Sequence, residues 1–214
     1  SFGRVKSRKL SDQQLHLLDN ILPKYDFSSE KNQSFINKFA TFKLEIGSGA
    51  GDFIINKAIN HPDVCFIACE PHMNSVANIV QKSEESKLKN LFIFKGDARE
   101  ILEKNKINFA GIYILNPDPW PKSCHHKRRL ININFIDLLH QNMVKNSKLT
   151  VVTDHDGYKK WIMEAFYQKK DLFLCLAKTQ KDWLEFPENW VFTKYQQKAV
   201  EEGRKNIFLE FELQ

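Results

Sequence analysis

No run in this chain approaches the ~20 continuous apolar residues that a membrane span needs, so no membrane association is expected. The first ten residues, SFGRVKSRKL, have no apolar core, and no secretory signal is expected there. Cysteine is sparse. The 4 residues, Cys65, Cys69, Cys124 and Cys175, form no CxxC pair and no regular framework. Cys65 and Cys69 share one face of the apolar run VCFIACE, where buried free thiols in a reducing cytoplasm are the expected state. Glycine is also scarce, with 8 residues against 17 Phe, which argues against a disordered or low-complexity chain. Neither an internal repeat nor a linker is visible, so residues 1–214 are expected to form one domain with a basic arm at 1–10. The excess of base over acid is modest: a net charge of +6 admits an anionic partner without requiring one.

What is present is a regular alternation. FKLEIG (42–47), DVCFIACE (63–70), NLFIFKGD (90–97), AGIYILN (110–116) and SKLTVVTD (147–154) have the length and apolarity of buried strands. Between them, Met73, Val76, Ala77 and Val80 follow helical spacing, as do Phe135, Leu138, Leu139 and Met143. Strands alternating with helices imply an α/β fold with a mostly parallel sheet and helices on both faces. Two later runs, 172–177 and 206–213, are strand-like without that alternation and suit an antiparallel edge.

In open α/β sheets, ligands bind at the carboxyl ends of the strands. The first strand ends in LEIGSGAGD, where Gly47, Gly49 and Gly51 permit a sharp turn close to a ligand. Asp52 stands where a dinucleotide fingerprint needs glycine, and the Gly-Lys-Ser/Thr ending of a phosphate loop is absent. Glu70 ends the second strand, about 20 residues on, where an acid can bind ribose hydroxyls. Asp97 ends the third, beside Ala98, and the fourth runs into Asp118. Glu45 lies inside an apolar strand, where an unpaired acid is costly. Successive acids and no phosphate-binding lysine fit a nucleoside with a positive centre better than NAD or ATP. S-adenosyl-L-methionine, an adenosine carrying a sulfonium, is such a ligand.

The segment NPDPWPKSCHHKRR (116–129) sets a proline-stiffened acid, Asp118, beside a block of positive charge. Trp120 could wall in a base or belong to the core. Lys127, Arg128 and Arg129 could contact phosphates, with Arg4, Lys6, Arg8 and Lys9 as a second patch or simply a solvated face. Cys124, His125 and His126 lack a second ligand pair, so no metal is expected. Asp154 and Asp156, around His155, could form an acid–base group or only a turn.

Taken with SFGRVKSRKLS, EIGSGAG, VVTDHDGY and TKYQQK, the NPDPWPKSCHHKRR block resembles the motif set of the bacterial tRNA (guanine-N7-)-methyltransferase family over most of the chain. The resemblance implies a three-layer class I methyltransferase (Rossmann-like) fold with a seven-stranded sheet and S-adenosylmethionine as methyl donor. The implied reaction methylates N7 of guanine at position 46 of the tRNA variable loop. Carried over by motif, Glu45, Gly47, Gly49, Glu70, Asp97, Ala98 and Asp118 would line the cofactor site, with Asp118 also the catalytic-site acid. Lys122, Asp154, Thr193, Lys194, Tyr195 and Gln196 would face the substrate, and Lys127, Arg128 and Arg129 the RNA backbone. The family's last motif has glutamate where this chain has Gln196, which exchanges one acceptor for a donor. The chain is expected in the cytoplasm, as a monomer or homodimer with tRNA as its partner.

Guanine N7 has a free lone pair and no proton, so its methylation needs in-line placement and charge stabilisation rather than a general base. In duplex RNA, N7 faces a deep, narrow groove, so an exposed or splayed-out base is the expected target. Two alternatives share parts of this pattern: a class I methyltransferase acting on a protein or small molecule, and a non-catalytic RNA-binding protein on the same fold.

Overall fold

Seven strands alternate with helices, as the apolar runs require. They are β1 (Thr41–Ile46), β2 (Val64–Cys69), β3 (Leu91–Phe94), β4 (Phe109–Leu115), β5 (Met143–Thr153), β6 (Phe173–Cys175) and β7 (Ile207–Leu213). The helices are α1 (Asp12–His16), α2 (Glu30–Ile36), α3 (Asp52–Asn60), α4 (Met73–Glu85), α5 (Ala98–Lys104), α6 (Ile133–Gln141), α7 (Asp156–Tyr167) and α8 (Lys194–Glu201). The structure is a computed structural model that describes residues 9–104, 107–185 and 187–214. Arg4, Lys6 and Arg8 of the expected basic arm lie outside the described residues. The strand order is β3-β2-β1-β4-β5-β7-β6, and the chain divides into two compact units, Ser1–Asn105 and Lys106–Gln214.

In the first unit β1, β2 and β3 pair in parallel. Phe66 and Ala68 of β2 and Leu91 and Ile93 of β3, with Ile54, Ile55 and Ala58 of α3 and Val76, Ile79 and Val80 of α4, form one apolar cluster. Met73 packs on it from the first turn of α4, in keeping with the helical spacing of that segment. Cys65 and Cys69 are both buried free thiols on β2.

In the second unit β4 and β5 are parallel, whereas β7 runs antiparallel to both β5 and β6. The two runs expected at an antiparallel edge form it: β6, from 172–177, is the marginal strand, and β7, from 206–213, is the strand inside it. Strand β7 carries Phe211, fully buried and stacked on Phe166 of α7 with ring centroids 3.8 Å apart. One expectation fails. Phe135 and Leu139 are buried on α6, but Met143 opens β5 instead of closing the helix. Asn142 ends α6, its side-chain amide donating to the Leu138 carbonyl at 2.8 Å. Strand β5 therefore begins four residues before the apolar run does. Its pairing with β4 jumps from Phe109–Met143 to Gly111–Lys148, and the intervening Asn146 is left-handed at φ 63°.

Candidate active site

The glycine turn after β1 is left-handed at each glycine: Gly47, Gly49 and Gly51 have φ of 73°, 52° and 77°. A side chain at Gly51 would also meet Ile79 at 2.9 Å, so the turn and the α4 packing both demand glycine there. From behind, the Lys82 ammonium donates to the Ala50 carbonyl at 2.7 Å and pairs with Asp52, tying α4 to the turn. Ahead of it, Glu70 accepts from the Gly49 amide at 2.8 Å and from the His72 amide at 2.9 Å. The acid expected to hold a ribose thus also fastens the turn.

Glu45 is only 1 % exposed, and its Oε2 atom has no hydrogen-bond partner among the described residues. Burial first, and then the neighbouring charges of Glu70 and Asp52, push its carboxyl well above the usual carboxylate range, against one backbone hydrogen bond from Ile54. Burial likewise raises Glu70, against the two amides it accepts from. Asp97 differs. Burial works to raise it, but the Arg99 amide and guanidinium pull the other way, and the net shift is down. Its Oδ1 accepts from the Arg99 amide at 2.9 Å in the first turn of α5, next to buried Ala98. This unit presents two buried carboxylates around a left-handed turn, and among the described residues nothing lies within 4 Å of where a Cβ at Gly47 or Gly49 would stand.

In the second unit, β4 runs into the proline segment. Asn116 and Trp120, neither of them glycine, are left-handed at φ 50° and 43°, and Asp118 sits exposed between them. Conformations of this kind cost roughly 1–2 kcal/mol per residue and persist where surrounding contacts impose them. The Asn116 amide donates to the Val152 carbonyl at 2.8 Å. Trp120 is half-buried, with the His125 ring edge-on at 5.7 Å and the Arg128 guanidinium 5.0 Å from its ring centre. Its ring carries a cation instead of lying in the core. Residues Ser123–Arg128 form a 3-10 turn, in which Lys127 is exposed, as is Lys122 just before it. Arg129 is not at the surface: it is 3 % exposed, and its Nε donates to the Pro119 carbonyl at 2.9 Å. The phosphate contact expected of it gives way to a buried one, because two aromatic side chains of α7, Tyr158 and Trp161, cover its guanidinium.

Asp154, at the end of β5, pairs with Arg204 and accepts weakly from Asn116 Nδ2 at 3.4 Å. His155 caps α7, its Nδ1 accepting from the Tyr158 amide at 3.1 Å, and Asp156 is an exposed first-turn residue, so no acid–base group forms there. Thr193 caps α8 in a capping box with Gln196, while Lys194 and Tyr195 are exposed. Gln196 itself is 0 % exposed. Its Oε1 accepts from Trp190 Nε1 at 3.1 Å and from the Thr193 amide at 3.2 Å, while its buried Nε2 has no partner among the described residues. Residues with parts in these contacts that the sequence motifs did not single out are Lys82, Trp161 and Arg204. Trp161 stands three residues after Tyr158, the last residue of VVTDHDGY, and so shares its face of α7, which is the only sign of Trp161 in the sequence.

Among the described residues, no group of three or more His, Cys, Asp or Glu side chains could hold a metal ion. No helix among them is long and apolar enough to cross a membrane.

A mostly parallel sheet of this order, with a glycine turn after β1 and acids at the strand ends, has the class I methyltransferase fold. Solved structures share that fold. The 16S rRNA methyltransferase KamB is similar at a TM-score of 0.61 and 13 % identity, over 88 % of this chain and 94 % of that one. The Streptococcus mutans protein SMU.1697c, solved in complex with SAH, is similar at 0.54 and 12 %, over 86 % of this chain and 97 % of that one. The family model described as "Putative methyltransferase" matches residues 40–209. A tRNA (guanine-N(7)-)-methyltransferase of Zymomonas mobilis is 35 % identical over 95 % of this chain and 90 % of its own length. The Jannaschia protein of that name is 33 % identical over 99 % and 93 %. The chain belongs to the tRNA (guanine-N(7)-)-methyltransferase family.

Proposed function

We propose that this chain transfers a methyl group from S-adenosylmethionine to N7 of a guanine in tRNA, at position 46 of the variable loop. The observation that carries the reading is an exposed carboxylate, Asp118, on a loop held in two left-handed non-glycine conformations, with exposed Lys122 and Lys127 close behind it in the chain. A carboxylate presented in this way can stabilise the positive charge that appears on the purine as N7 is alkylated. Since N7 carries no proton, Asp118 has none to accept.

The residues of the first unit fit the cofactor. Glu45 Oε2 is a buried acceptor without a donor among the described residues, which a cationic, donor-bearing ligand would satisfy. The left-handed turn would let a nucleoside approach the backbone, with Glu70 at the ribose and Asp97 and Ala98 at the base. When bound, S-adenosylmethionine supplies an electrophilic methyl group. The protein's part is to hold N7 in line with it, largely a proximity effect. We further propose that residues 1–214 act as one methyltransferase domain in the cytoplasm.

In the second unit, Lys122 and Lys127 face the tRNA, and Asp154, Thr193, Lys194, Tyr195 and Gln196 build the guanosine side. Asp154 acts there together with Arg204, and buried Gln196 holds the start of α8 through its capping box. Lys127→Ala should weaken tRNA binding across sequences and reduce the slope of log K against log salt by about one, as loss of one phosphate contact would. Filter binding over a salt series checks this, and an unchanged slope would return Lys127 to plain solvated surface. Supplying labelled cofactor with unmodified tRNA, a protein extract and a small-molecule pool separates the rival substrates: label in either of the last two, with none in tRNA, rejects the tRNA reading.

A further inference from the structure

Arg129 is the least exposed of the basic residues that follow the proline segment, and its surroundings form a closed set of contacts. Its guanidinium lies 5.1 Å from the Tyr158 ring centre and 5.0 Å from that of Trp161. Both rings are themselves tied to Ile131, two residues further on. The Ile131 amide donates to the Tyr158 hydroxyl at 3.3 Å, and Trp161 Nε1 donates to the Ile131 carbonyl at 2.7 Å. Arg129 Nε then reaches back to the Pro119 carbonyl at 2.9 Å. Among the described residues Arg129 forms no ion pair with a carboxylate, and the negative faces of the two rings lie against its buried guanidinium instead. Burial still holds its guanidinium below the usual range.

The loop so tied is one that would otherwise relax. Asn116 and Trp120 bracket Asp118 in a region unfavourable to side chains, and strain of this kind survives only where neighbours over-determine it. Asp118 also lies within the electrostatic reach of the Tyr158 hydroxyl, which burial pushes up to about 12 with a further contribution from the Asp118 charge.

We infer that Arg129 is a positioning residue for methyl transfer: clamped between Tyr158 and Trp161, it fixes the Asp118 loop through the Pro119 carbonyl and binds no RNA phosphate. The inference rests on the methyl-transfer reading above. Arg129→Met keeps the buried stem and removes the donor and the charge. In this variant kcat is expected to fall by about 100-fold, the loss typical of a displacement near 1 Å at the reacting centre. Cofactor affinity, tRNA affinity and the salt slope of tRNA binding should stay at wild-type values. Guanidinium ion added to Arg129→Ala should restore part of kcat by filling the vacated slot. An unchanged kcat in Arg129→Met, or a salt slope reduced by about one with kcat intact, would overturn the proposal. If Arg129→Met does not fold, Arg129→Lys carries the test, since it keeps the buried charge but loses the planar contact with both rings. Lowered kcat at wild-type tRNA affinity supports the clamp, and wild-type kcat overturns it. Failure of the underlying reading is separately visible, because wild-type protein would then methylate no tRNA at all.

Discussion

Asp118→Ala should lower the rate of methyl transfer by roughly 10²–10³-fold, the usual loss when one preorganised electrostatic group is removed from a reacting centre. Binding of tRNA should change little, because Asp118 carries negative charge and the proposed RNA contacts are those of Lys122 and Lys127. Asp118 is exposed, so the substitution opens no cavity in the core and folding should be unaffected. Single-turnover assays with both substrates saturating isolate the chemical step. The same assays in heavy water address how the acid acts. A carboxylate that stabilises developing charge without taking a proton gives a solvent isotope effect near unity. A large normal effect would show proton transfer in the rate-limiting step and reassign Asp118 as a base. Retained turnover in Asp118→Ala would remove it from the mechanism.

Glu45→Gln should weaken cofactor binding by about 10- to 150-fold, which corresponds to losing one charge-assisted hydrogen bond of about 1.5–3 kcal/mol. Calorimetric titration with S-adenosylmethionine measures it. The wild-type protein should also show a pH signature. With its pKa raised by burial and by Glu70, Glu45 holds a proton in the cofactor-free fold where the unfolded chain has already lost it. Its contribution to the stability of the cofactor-free protein is therefore fully present below the ordinary glutamate pKa of about 4.3 and is lost as pH rises through the elevated folded value. Affinity for a cationic cofactor should change in the opposite sense, rising with pH over that same interval as the carboxylate forms. Glu45→Gln should flatten the Glu45 part of both profiles. Wild-type profiles in the variant would place the buried charge elsewhere. Glu70, also raised, contributes in the same direction and would leave a residual slope.

The parallel strands and the glycine turn were legible in the sequence for a physical reason. Strands buried on both faces are short apolar runs, and here each ends in residues that break the run, such as Gly47, Glu70 and Asp118. Met143 misled because an apolar residue at helical spacing fits a strand start equally well, and only the Asn142 cap decides between them. The place of β7, one strand in from the margin, is a matter of pairing that no local pattern encodes. At the candidate site, acids on strand ends were easy to find because their positions follow from topology. The partners were not. Arg129 sits in the same charged run as Lys127, and whether such a cation faces solvent or two aromatic rings depends on α7, far along the chain. The Arg204 that pairs with Asp154 lies in a loop with no motif of its own. Gln196 shows the same limit: its type suggests a contact with the base, whereas its surroundings make its oxygen the cap of α8.

Identification of the methylated nucleoside tests the central claim most directly. Wild-type protein would be incubated with labelled S-adenosylmethionine and an unmodified tRNA carrying guanine at position 46, and the product digested to nucleosides. The expected result is label in 7-methylguanosine alone, lost when the tRNA carries adenine at that position. Label in any other nucleoside, or in 7-methylguanosine that persists in the adenine-substituted tRNA, would contradict it.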